Sequence, residues 1–172
     1  MGMRWDALFA DMAARVDADE AEGFRAEVAA RERSERASVR LTDRLAASRG
    51  VTLTIHLNDD SWCAGTVADG ADEWVLIEGD DGRQHVIPVR AIATVEGLAG
   101  AGVVRGRVER GLTLAHALRA LARDRARVVA VTASGQTSGL VVAVAADHVD
   151  VAERGAAPVT VALAALVRVT AL

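Results

Sequence analysis

The feature that most constrains this chain is a repeat. Shifted by 74 residues, Val51–Leu98 overlies Arg125–Leu172 without a gap. Gly65 falls on Gly139, Val67 on Val141, Ala71 on Ala145 and Val75 on Val149. Ala91 falls on Ala165, Val95 on Val169 and Leu98 on Leu172. Similar pairs fill the spaces: Ile55 with Val129, Leu57 with Val131, Ile77 with Val151, Ile92 with Leu166. One unit used twice must serve two environments, so differences between the copies carry as much information as their likeness.

Each copy reads as five short strands. In "VTLTIHL", Leu53, Ile55 and Leu57 alternate with Thr52, Thr54 and His56, the period of a half-buried strand. "NDDS" is a turn, and "WCAGTVAD" a second strand with Gly65 inside it, where a mid-strand glycine marks a bulge or bend. "EWVLIEG", "QHVIPV" and "RAIATVEGL" complete the copy, with Pro88 suited to a strand end or edge. The second copy reads "RVVAVTA", "TSGLVVAVA", "DHVDVAE", "APVTVAL" and "ALVRVTAL". Its strands are apolar on both faces, Val128 as well as Val129 and Val142 as well as Val141. That predicts an outer face covered by a helix, the other copy or another chain. A short helix is expected before each copy. "LTDRLAASRG" is capped by Thr42 or an earlier residue, and "LTLAHALRALARDR" by Thr113.

The expected fold is mainly β with N-terminal α: two tandem five-stranded barrels, each preceded by a helix. The expected divisions are an N-terminal helical arm at 1–40, helix plus first barrel at 41–98, a linker at 99–112, and helix plus second barrel at 113–172. Aromatic residues are 3% of the 172, so Val, Ala, Leu and Ile must build the cores.

The helix-then-five-strands order, the bent glycine-bearing second strand and the ending "PVRAIATV" together resemble the Sm-like (Hfq/LSm) fold, across about 48 residues of each copy. The chain is also similar to tandem-barrel proteins of actinobacteria. The resemblance implies ring oligomers, made by pairing the fourth strand of one barrel with the fifth of the next. It also implies binding of single-stranded RNA. In the Hfq branch a Tyr-Lys-His triplet precedes the Ala-Ile; Pro88, Val89 and Arg90 stand there here, and only Arg90 keeps a polar donor. The lost aromatic removes a stacking contribution of about 1–3 kcal/mol per base.

Charge is uneven. Residues 51–98 hold 2 Arg and 9 acids, net −7, whereas 99–124 hold 5 Arg and 2 acids, net +3. The first copy therefore repels phosphate. Candidate nucleic-acid contacts are Arg90, Arg105, Arg107, Arg110, Arg123, Arg125 and Arg127. The alternative reading is a solvated connector and the polar face of its helix. Every basic residue is Arg, which blunts any inference from the choice of arginine.

Candidate protein-interface residues are Trp5, Leu8, Phe9 and Met12, at helical spacing in the arm, with Val128 and Val142. The arm reads as one long helix or as two broken at Gly23. His56, Cys63 and His85 lack ligand spacing, and no nucleophile–base pattern, P-loop or dinucleotide motif is present. No metal, cofactor or catalytic residue is expected. The lone Cys63, the absence of a long apolar run and the charged N-terminus indicate a soluble, cytoplasmic protein without a membrane partner. The functional expectation is a non-enzymatic binding protein: a homo-oligomeric scaffold or adaptor with a protein partner for the arm, or an RNA-binding regulator of Sm type.

Overall fold

The structure is a computed structural model that describes residues 27–31, 34, 37–99 and 111–172. The chain divides into two compact units, Met1–Val39 and Arg40–Leu172. In the first, residues 27–31 are helical, with Val28 exposed.

The second unit carries helix α1 (Leu41–Ala47), then strands β1 (Thr52–Leu57), β2 (Trp62–Gly70), β3 (Trp74–Glu78), β4 (Gln84–Pro88) and β5 (Ile92–Glu96). Helix α2 (Leu114–Arg123) follows. Then come β6 (Arg127–Thr132), β7 (Gly135–Val144), β8 (His148–Ala152), β9 (Val159–Ala162) and β10 (Leu166–Ala171). Arg40 caps α1 through Asp43 and also pairs with Asp72; Thr113 and His116 cap α2 reciprocally.

The strands fall within the expected segments, but they do not form two separate barrels. They form one open ten-stranded antiparallel sheet, in the order β5-β1-β2-β3-β4-β10-β6-β7-β8-β9. Each half repeats one order: its fifth strand, then its first to fourth. Pairing of β4 with β10 joins the halves. The two cores also interpenetrate at this joint. Val167 of β10 is buried among Leu45, Leu53, Ile55, Val67, Ile77 and Ile87 of the first half. In return, Ala71, Trp74 and Val86 of the first half pack into the core of Leu118, Val128, Val149, Val151 and Leu166. A cut at residues 99–112 would expose part of each core, which is why Arg40–Leu172 is a single compact unit.

The register refines the repeat. A 74-residue shift holds for every pairing among the second to fifth strands, such as Thr66↔Glu78 with Leu140↔Ala152. The first strands are offset by 75. Leu53 faces Gly65, whereas Val128, and not Arg127, faces Gly139. The cause is a turn shorter by one residue. Three residues separate Leu57 from Ser61, but two separate Thr132 from Gly135. A one-residue slip exchanges the two faces of a strand. Val128 and Ala130 therefore point inward, and Val129 and Val131 are half-buried.

This corrects the expectation for Val128. It is a fully buried core residue (0% exposed) and not part of an outer interface. Val142 is the extra residue of a bulge between Val141 and Ala143, which turns it out to 53% exposure. Gly65 and Gly139 sit against the neighbouring strand. A Cβ on either would lie 2.3 Å from a carbonyl oxygen, that of Glu78 or of Ala152.

Candidate functional site

The joint between the halves is built from residues the two copies do not share. Val169 faces Val86, Thr170 faces His85 and Ala171 faces Gln84. The ladder stops at Val86, and Pro88, at the end of β4, has no N–H to extend it. Beyond it Arg90 supplies the donors. Its Nε gives a hydrogen bond to the Ala164 carbonyl at 3.1 Å, and its Nη2 gives others to the carbonyls of Leu163 and Leu166. These oxygens belong to the turn before β10. Burial lowers the Arg90 pKa, opposed by Glu73.

Two further polar contacts cross the joint. His85 Nδ1 and Thr170 Oγ1 are 3.0 Å apart. Arg168 Nη1 donates to the Trp62 carbonyl at 3.3 Å, and its guanidinium lies beside Cys63. Burial holds the His85 pKa below its ordinary value, and Arg168 adds to the effect. Burial pushes the Cys63 thiol up, so it remains protonated and unreactive at neutral pH. Across the top of the joint, Glu73 Oε2 accepts from the Leu114 N–H at the start of α2, and Trp74 Nε1 donates to the Leu112 carbonyl.

The outer edges of β5 and β9 end the sheet. Beside β9 lies a groove of about 370 Å³, between the β6–β7 hairpin (Gln136, Thr137) and Val159, Thr160, Val161 and Ala162. Val159, 51% exposed, forms part of its wall.

The arginines expected to contact nucleic acid do not form one patch. Arg90 is committed to the joint. Arg123 is exposed at the end of α2, Arg125 lies in the following turn at φ 50°, and Arg127 opens β6. Arg105, Arg107 and Arg110 lie outside the described residues, as do Trp5, Leu8, Phe9 and Met12. Val142 lines the largest cavity among the described residues, about 650 Å³ between α2 and β7, with Trp74, Arg119 and Arg123. Among the described residues, no three His, Cys, Asp or Glu converge as metal ligands. Nor is any helix there long and apolar enough to cross a membrane.

Sequence reasoning missed His85, Arg168 and Val167 as joint residues. The signal was present in the repeat: at each of these positions the aligned partner (Val159, Thr94, Ala93) differs in chemistry or size. No protein-family model matches the chain, and no curated protein matches it in sequence.

Proposed function

We propose that this chain is a non-enzymatic binding protein that self-associates as a scaffold or adaptor. One observation carries the reading. A joint made by strand addition already exists within the chain, between β4 and β10, and it leaves the corresponding strands β5 and β9 at the two ends of the sheet. Unpaired strand edges present rows of N–H and C=O groups that template pairing with another chain. Exposed Val142 and Val159 add apolar area on the second half. The Sm-like resemblance supports the same reading, because it implies contact between a fourth strand and a fifth.

The RNA reading has less support. Arg90, the one donor retained from the Sm pattern, is occupied by three backbone carbonyls.

Light scattering or native mass spectrometry tests the proposal. The expected result is a mass of more than one chain that rises with concentration. A clean monomer at every concentration, with no protein partner recovered, overturns it. Salt-sensitive retention of single-stranded RNA by the monomer would favour the RNA reading instead.

A further inference from the structure

The groove beside β9 has a counterpart in the first half, and that counterpart is filled. Moved back by 74 residues, Gln136, Thr137, Val159 and Thr160 become Trp62, Cys63, His85 and Val86. Those are the residues that β10 covers: Arg168 reaches the Trp62 carbonyl and lies beside Cys63, Thr170 meets His85, and Val169 pairs with Val86. Val167 of the same strand is 3% exposed and enters the first core. The strand that corresponds to β10 is β5, which has Ala93 where β10 has Val167 and Thr94 where it has Arg168. Ala93 and Thr94 are exposed, and the outer edge of β5 pairs with no strand among the described residues.

The open edge has the donors it needs. Val89 N–H bonds inward to the Glu73 carbonyl, and Leu163 N–H bonds likewise to the Asp147 carbonyl. Alternation along each strand then directs the N–H groups of Thr160 and Ala162 outward. Ala162 takes the place of Pro88, so β9 offers one donor more than β4 does.

We propose that β9 of one copy pairs antiparallel with β5 of a second copy, with Ala93 seated in the 370 Å³ groove where Val167 fills its counterpart. The internal joint sets the register: Val95 opposite Thr160 and Glu96 opposite Val159. The contact is head-to-tail. Each added copy leaves one β5 and one β9 free, so assembly continues until rotation closes a ring. The new joint lacks the clasp of the internal one, because Ala164 replaces Arg90, Val159 replaces His85, and Glu96 replaces Thr170. The alanine knob is also smaller than valine. Assembly through this contact is therefore weaker than the internal joint and depends on concentration.

This proposal rests on the self-association reading, and its test separates the two. The full chain and three variants are compared by sedimentation across a wide concentration range, with circular dichroism to verify folding. Thr160→Pro removes an outward N–H but leaves the β8 ladder, and abolishes assembly. Ala93→Asp puts a charge into the groove and does the same from the other edge. Ala93→Val fills the groove as Val167 does and tightens assembly, by about fourfold for the apolar surface of one added methylene equivalent. If the wild-type chain assembles and folded Thr160→Pro and Ala93→Asp assemble equally well, this contact is wrong and the scaffold reading survives. If the wild-type chain is monomeric throughout, both fall. Loss in either folded variant together with tightening in Ala93→Val supports the contact.

Discussion

The two halves of the sheet share strand order, bend and pairing register, yet they meet different neighbours. The fourth strand of the first half is covered. Its end is sealed by Pro88, its neighbour clasped by Arg90, and its core plugged by Val167. The fourth strand of the second half is open beside an unfilled groove, with Val159 exposed. The comparison shows that duplication preserved what makes the strands and diverged where each half needs a different partner. The substitutions at the covered edge (His for Val, Pro for Ala, Arg for Ala) are the ones that add polar ties across the joint or end its ladder.

The largest effect is expected where the halves are alike. Gly65→Ala and Gly139→Ala each force a methyl group onto the carbonyl of the adjacent strand, 2.3 Å from the oxygen. Each should cost about 3 kcal/mol, measured by chemical denaturation. Near-equal losses would show that the bend is the shared structural element. A tolerated Gly139→Ala would break the equivalence of the halves.

Val167→Ala comes next. It empties a site in the first core from a strand of the second half, and should cost about 2 kcal/mol with one cooperative transition kept. Two separate transitions in this variant would mean that the halves fold as independent units.

Arg90→Ala removes hydrogen bonds to the carbonyls of Leu163, Ala164 and Leu166. The site is partly exposed, so the expected loss is about 1–2 kcal/mol. Arg154→Ala, on the second half and outside the joint, should change stability by less than about 0.5 kcal/mol.

The smallest effect is on pH. Burial depresses the pKa of His85 below its ordinary 6.5, so the folded state binds fewer protons than the unfolded one. Stability from this group is fully present above pH 6.5 and is lost as the pH falls from there through the folded pKa. Thermal denaturation should show the decline, and His85→Gln should flatten it. An unchanged slope would remove His85 from the account of the joint.

Much of the secondary structure was legible. The alternation of Leu53, Ile55 and Leu57, the Thr113 cap and the paired glycines each act within a few residues, so local chemistry is enough to specify them. The facing of β6 was less accessible. Val128 to Val131 contain three valines and an alanine, so hydrophobicity does not distinguish one face from the other. A turn shorter by one residue decided that Val128 is core. Val142 was similarly ambiguous until the bulge set its direction.

The sequence by itself determined that there are two copies of a five-strand unit, where their strands lie and where the copies differ. Only the tertiary structure decided how the copies are joined. Strand-edge hydrogen bonds are made by backbone groups that every residue except proline possesses, so composition does not record which edge meets which. The choice depended on contacts 73 to 106 residues apart in the chain, such as Arg90 with the Leu163 carbonyl and Arg168 with that of Trp62. Those contacts turned the expected pair of barrels into one sheet with two open edges.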